Sequence, residues 1–233
     1  MKKLIRWIVR FIIKVILLFF ILSIGSTILY RYIPVPITPL MVIRWVESFG
    51  EENHAIPFEK NWVPAEEIAQ VAFQAVYAAE DQNFLSHSGF DWEAMKTAWE
   101  ENQKGRRVRG ASTISQQTAK NVFLWPNRNY VRKVLEAYFT ALIELIWGKE
   151  RILEVYLNVI EMGPGIYGIE AASQKYFGKP AARLSKSEAA LIAACLPNPR
   201  RWSPKNPTSY IRQRQSWIMR QMGNLEALPF GKK

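Results

Sequence analysis

Ile68-Ala69-Gln70-Val71-Ala72-Phe73-Gln74-Ala75-Val76-Tyr77-Ala78-Ala79 places Ile68, Val71, Ala72, Ala75, Val76 and Ala79 on the period of a helix with one buried face. Pro64, just upstream, suits a first helical turn. The helix runs directly into Glu80-Asp81-Gln82-Asn83-Phe84-Leu85-Ser86-His87-Ser88-Gly89-Phe90-Asp91. Two adjacent carboxylates at the end of an apolar helix, followed by an aromatic residue and a histidine, form a candidate general-base site. Apolar surroundings raise a carboxylate pKa toward the range useful for taking a proton. The competing reading is that acids and Gly89 merely punctuate a helix end.

The same helical period recurs along the chain. It predicts helices over Trp92–Gln103, Ile114–Val122, Asn129–Trp147, Glu150–Val159, Gly168–Tyr176, Ser185–Ala194 and Thr208–Met222. Alternating strand patterns are nearly absent, so the expected fold class is mainly α. With 233 residues, 49% hydrophobic and 22% charged, the chain is long and apolar enough for one domain with a sizeable core, and disorder is excluded. The lone Cys195 excludes an intramolecular disulfide, and with only His54 and His87 a histidine-built zinc cluster is not expected.

The net charge of +11 raises nucleic acid as a partner, but its distribution argues against it. Six cations (Lys2, Lys3, Arg6, Arg10, Lys14 and Arg31) lie in the first 31 residues, where there is no acid, leaving +5 for the rest. From Val15 to Tyr30 no residue is charged, and extending back to Phe11 adds only Lys14. That is about 20 largely apolar positions, enough to span a bilayer as a helix. The basic cluster before the span places the N-terminus in the cytoplasm and the bulk of the chain outside. A cleaved signal peptide is the rival reading, but its apolar region is typically about 7–15 residues, so a retained anchor is expected. The organisation read from sequence is a basic N-terminus over 1–10, an anchor over 11–31, a linker over 32–60 that opens with proline-rich Ile33–Pro39, a globular domain over 61–225 and a tail over 226–233.

A second cluster is Gly110-Ala111-Ser112-Thr113-Ile114-Ser115-Gln116-Gln117-Thr118-Ala119-Lys120-Asn121, preceded by the basic segment Gln103–Arg109. Thr113, Gln117 and Lys120 fall at i, i+4 and i+7, which predicts one polar helix face. A helix N-terminus beside basic residues suits an anion such as phosphate, and the competing reading is a solvated helix face. A third cluster is Arg128, Arg132, Lys133 and Glu136. Arg132 and Glu136 at i, i+4 are compatible with a helix salt bridge, while several cations beside one acid suit a diphosphate clamp. Gly163-Pro164-Gly165-Ile166-Tyr167-Gly168 matches G-x-G-x-x-G, but the preceding Arg151–Asn158 reads as helix, whereas a dinucleotide motif needs a strand. These glycines are expected to form a tight loop between helices.

Together these clusters resemble the peptidoglycan glycosyltransferase family (family 51), the membrane-bound polymerases of the bacterial cell wall. Five motifs occur in order between about Ala69 and Pro204: Glu80-Asp81 to Asp91; Gly110 to Asn121; Arg132-Lys133 with Glu136-Ala137; Lys149 to Asn158 leading to Gly163, Gly168 and Tyr176-Phe177-Gly178; and Leu184 to Pro199. The first matches the family's E-D-x-x-F-x-x-H-x-G at every specified position. Ala111 departs from the family, which often has a second glycine there. No transpeptidase domain is expected, and the single anchor resembles the monofunctional Gram-negative type, placed in the inner membrane with a periplasmic catalytic domain.

The resemblance implies a lysozyme-like, mainly α fold with a small membrane-facing lobe, for which Trp92–Arg109 is the candidate. It implies lipid II and a lipid-linked glycan chain as substrates, with cell-wall synthesis proteins as further partners and no nucleic acid. It assigns Glu80 as general base, Glu136 as second catalytic acid, and Lys120, Arg128 and Arg132 to the diphosphate. Ser112, Thr113, Gln117 and Asn121 become substrate or structural contacts, and Asp81, Phe84 and His87 shape the site around Glu80. A divalent cation, Mg²⁺ or Mn²⁺, is implied near Glu136, with no organic cofactor. The rival functions are a membrane-anchored glycan-cleaving enzyme, which needs a protonated carboxyl at its leaving oxygen, and a non-catalytic cell-wall scaffold.

Overall fold

A computed structural model describes residues 2–49, 58–103, 111–127 and 129–231. The described chain forms ten helices: α1 (Lys2–Tyr32), α2 (Pro39–Ser48), α3 (Gln70–Glu80), α4 (Trp92–Gln103), α5 (Ile114–Phe123), α6 (Tyr130–Ile146), α7 (Lys149–Val159), α8 (Ile169–Phe177), α9 (Lys186–Cys195) and α10 (Ser209–Asn224). Three short strands, β1 (Glu59–Lys60), β2 (Glu161–Gly163) and β3 (Ile166–Tyr167), form one small sheet in the order β1-β3-β2, with β1 parallel and β2 antiparallel to β3. The mainly α expectation therefore holds.

The core lies between α3, α5, α7 and α9. Phe73 and Val76 of α3, Ile114 of α5, and Ile152, Leu153 and Tyr156 of α7 are buried. Burying each such large apolar side chain stabilises the fold by about 1.5–3 kcal/mol. In α9, every residue from Ala189 to Cys195 is buried. A helix wrapped on all sides needs small side chains for close approach, and the alanines at 189, 190, 193 and 194 let α3 and α10 pack on it. Its start is fixed by a capping box in which Ser185 and Glu188 exchange hydrogen bonds.

The glycine-rich Gly163–Gly168 segment is a hairpin, β2 to β3, where a loop was expected. The helix α7 before it excludes the dinucleotide reading. Gly168 has φ +85°, and a Cβ there would lie 2.7 Å from the Asn158 carbonyl oxygen, so only glycine fits. The segment read as a linker also holds more structure than expected. Ile33 to Thr38 forms neither helix nor strand, but Thr38 then caps α2 with Pro39 in its first turn.

α1 is one apolar helix long enough to cross a membrane. Its second half is fastened to the domain. Ser23 and Thr27 are buried on it. The Ser23 and Tyr138 hydroxyls are 2.7 Å apart, the Trp147 indole N–H donates to the Thr27 carbonyl at 2.7 Å, and the Arg151 guanidinium donates to the carbonyls of Tyr30 and Ile33. Ser23 and Gly25 are the small pair after which signal-peptide processing would cut, so a retained α1 keeps a buried Ser23 contact that cleavage would remove.

Candidate active site

Glu80 is the last residue of α3, and the chain leaves helical geometry at Asp81. Asp81 ties this corner to the next motif. Its Oδ2 accepts the backbone N–H of Ile114 at 2.9 Å, placing a carboxylate at the positive end of α5. The imidazole Nε2 of His87 lies 3.1 Å from both Asp81 oxygens, and His87 Nδ1 accepts the Gly89 N–H at 3.1 Å. Because Nδ1 is an acceptor here, the ring proton sits on Nε2 and points at Asp81. Gly89 has φ +91°, and a Cβ there would come within 2.8 Å of Thr140 Cγ2. Phe84 is fully buried, with the Lys149 ammonium 4.5 Å from its ring centre. Lys149 also donates to the His87 carbonyl and to Glu144, which accepts from Ser115 as well. Asp81, Phe84 and His87 therefore build the corner that holds Glu80, and their polar groups are spent on that work.

Thr113 departs from the expected polar face. It is the N-cap of α5, buried, with its hydroxyl donating to the Gly89 carbonyl at 2.7 Å and accepting from the Gln116 N–H. A cap residue precedes the helix, so it does not share the face of Gln117 and Lys120. The signal for this was present in the sequence, since Thr followed three residues later by Gln is a capping box. Asn121 is also buried, its amide donating to the Gln117 carbonyl. Gln117 and Lys120 remain half-exposed.

Gln117 joins the site across three helices. Its Nε2 donates to Glu80 Oε2 at 3.0 Å, while its Oε1 accepts the buried Tyr156 hydroxyl of α7 at 3.3 Å. Burial pushes the Tyr156 phenol well above its usual 10, so it stays a neutral donor and fixes which way the amide faces. Burial likewise pushes the Glu80 carboxyl above its usual 4.5. The Gln117 hydrogen bond and the Arg214 guanidinium, whose Nη2 lies 3.9 Å from Glu80 Oε1, partly offset it. Arg214 and Trp217, both on α10, were not anticipated; α10 follows the last motif and only the tertiary fold brings it to Glu80.

Two clefts meet beside these residues. One, of about 480 Å³, is lined by Glu80, Asp81, Ser112 and Thr113, with α4 residues on one side and Trp217 on another. The other, of about 600 Å³, is lined by Ser112, Gln117, Lys120, Arg132, Lys133 and Glu136. Ser112 belongs to both. In the second cleft Glu136 is buried, with one oxygen 2.6 Å from Arg132 Nη1 and the other bonded to the Lys133 ammonium. The Arg132–Glu136 salt bridge is thus real, but two cations share one acid, so a positive charge is left over in the cleft. Arg132 Nε is buried with no hydrogen-bond partner. Arg128 lies outside the described residues.

These motifs match the transglycosylase family model over residues 50–223, about three-quarters of the chain. The chain belongs to the transglycosylase family. Among its relatives, proteins named biosynthetic peptidoglycan transglycosylase from Bdellovibrio bacteriovorus and Caulobacter vibrioides are 57% and 52% identical to this transglycosylase. The first alignment covers 91% of this chain and 85% of the relative, the second 88% of each. A third, of the same name from Pasteurella multocida, is 49% identical over 89% of this chain and 85% of its own length. The lysozyme-like, mainly α fold expected from the motifs is that of this family.

The residues of this transglycosylase do not fit the divalent cation implied near Glu136. Both oxygens of that carboxylate are already held by cations, and no group of three His, Cys, Asp or Glu suited to a metal occurs among the described residues. Hard divalent ions take several oxygen ligands, so a lone, cation-clamped carboxylate is a poor site.

Proposed function

We propose that the chain polymerises lipid II into β-1,4-linked glycan strands of peptidoglycan from the outer face of the bacterial inner membrane. The observation that carries this reading is the pair of clefts meeting at Ser112, one lined by carboxylates that include Glu80 and the other by an excess of cations. Glycosyl transfer with inversion requires the nucleophile and leaving group on opposite sides of the anomeric carbon. A carbon held beside Ser112 has Glu80 on one side and Lys120, Arg132 and Lys133 on the other.

In this mechanism Glu80 accepts the proton of the acceptor 4-hydroxyl on the N-acetylglucosamine of lipid II as that oxygen attacks. The bond from the anomeric carbon of the growing chain to its diphosphate breaks, and undecaprenyl diphosphate leaves with its charge met by Lys120 and Arg132. Arg128, by its place in the motif, joins them. A diphosphate departs without protonation, so one base and fixed positive charge suffice. Glu136 holds Arg132 and Lys133 in position. A cleaving enzyme would instead need a protonated carboxyl at the sugar oxygen it expels, and the cation-lined cleft offers no such group. α4 buries only Ala98, so little apolar contact holds it to the domain, consistent with a small lobe that moves as substrate enters. The basic first turns of α1 keep that end cytoplasmic, and α1 delivers the clefts to the lipid-linked substrate.

The test uses the detergent-solubilised full chain with two substrates. Purified lipid II should yield long glycan and free undecaprenyl diphosphate, while isolated sacculi should release no soluble fragments. Release from sacculi without polymer from lipid II would establish the cleaving reading.

A further inference from the structure

The arrangement of cations around Glu80 leaves a chemical problem that α10 addresses. A buried carboxylate resists ionisation, yet a general base must be ionised and must keep a lone pair open. Direct ion pairing meets the first need and defeats the second, as at Glu136, where both oxygens are occupied.

α10 is placed by its own sequence. Thr208 caps it, and Ile211, Gln215, Ile218 and Met222 form its buried face. Gln215 donates to the Ser187 carbonyl at 2.7 Å, seating the helix against α9. Arg214 and Trp217, at i and i+3, then share the flank that overlooks Glu80, and Trp217 lines the Glu80 cleft. Arg214 Nη2 stops 3.9 Å from Glu80 Oε1, beyond hydrogen-bonding distance, and its Nε is buried without a partner. Oε2 is held by Gln117, so Oε1 faces a guanidinium without being capped by it.

We infer that Arg214 is a positioning residue for the base: its charge keeps Glu80 ionised inside the fold while its distance leaves Oε1 able to take the substrate proton. This rests on Glu80 being the base. The other groups around Glu80 do not duplicate the service. Asp81 is a like charge, Tyr156 of α7 is neutral, and Gln117 of α5 carries no charge. Lys120 of α5 also acts on Glu80, more weakly than Arg214, and in the proposed mechanism it is committed to the diphosphate. On α9 the Cys195 thiol lies near Arg214, but burial pushes its pKa to about 12, so no thiolate competes for the guanidinium.

The experiment compares kcat/KM on lipid II between pH 5 and 9 for the wild-type full chain, Arg214→Gln and Arg214→Lys. Loss of an opposite charge at this distance moves a carboxylate by about one unit or more. The acid limb of Arg214→Gln should move up accordingly, so that its loss is about tenfold deeper at pH 5.5 than at pH 8.5, and Arg214→Lys should restore most of the shift. An unmoved limb in a folded Arg214→Gln overturns the inference. If Arg214→Gln alone does not fold, the double variant with Glu80→Gln removes both charges and should recover a cooperative melt; a double variant that also fails to fold overturns it as well. An active Glu80→Gln enzyme would fail the base itself, whereas an inactive one beside an unmoved Arg214→Gln limb fails only the role of Arg214.

Discussion

Glu80 and Glu136 are the same residue type, similarly sheltered at 14% and 4% side-chain exposure, and they line neighbouring clefts. Their partners differ. Glu80 has one amide donor and a guanidinium held off at 3.9 Å, whereas Glu136 is gripped by Arg132 at 2.6 Å and by Lys133. The first keeps an oxygen available to an incoming hydroxyl, and the second has a cation bonded to each oxygen. Burial alone does not assign a role to a carboxylate; the distance and number of its cations do.

The contrast breaks most visibly at Glu80→Gln. The substitution keeps the shape and the Gln117 contact surface but removes the basic oxygen, so turnover on lipid II should fall roughly 10²–10⁴-fold. The same variant should melt no lower than wild type at pH 8. Because the folded-state pKa of Glu80 is raised, its ionisation disfavours the fold; stability is lost as pH climbs from the usual 4.5 through the folded pKa, and Gln removes that loss. A normal rate, or a sharply lower melting temperature, would remove the distinction between the two carboxylates.

Glu136→Gln should act in the opposite sense on stability. Removing one partner of a buried ion pair leaves the mostly buried Arg132 uncompensated, at a cost of about 3 kcal/mol. Thermal or denaturant melts of the full chain in detergent read this directly, and an unchanged melt would mean that the clamp is not structural. Lys120→Ala should weaken diphosphate handling by roughly 1.5–3 kcal/mol, about ten- to hundredfold in rate. Equal rates for Lys120→Ala and wild type would detach the second cleft from the diphosphate. The smallest effect belongs to the anchor: Trp147→Phe deletes the hydrogen bond to the Thr27 carbonyl and should lower stability by about 1 kcal/mol while sparing turnover.

Local pattern made much of this molecule legible. The predicted Trp92–Gln103 helix coincides with α4, Ile114–Val122 falls one residue short of α5, and Asn129–Trp147 includes the N-cap and C-cap of α6. These helices have strong periods and start at capping side chains, Asp91, Thr113 and Asn129. The pairing of Glu80 with Gln117 was not readable, because it depends on how α3 and α5 cross, although both residues stood out within their motifs. Arg214 gave no local signal, being one of several cations on a helix that packs beside Glu80 only in the folded chain. Thr113 and α2 were different: Thr113-x-x-Gln116 and Thr38-Pro39 are both helix-start signatures, and reading periodicity without caps misplaced the first and passed over the second.

The division of labour between the two carboxylates is tested most directly by the pH dependence of kcat/KM in Glu136→Gln. The acid limb reports the free enzyme's essential base. If Glu80 is that base, Glu136→Gln loses rate but keeps a limb at the wild-type position, above the usual carboxylate value of 4.5. A limb that disappears in Glu136→Gln, and persists in Glu80→Gln, would make Glu136 the base and contradict the account.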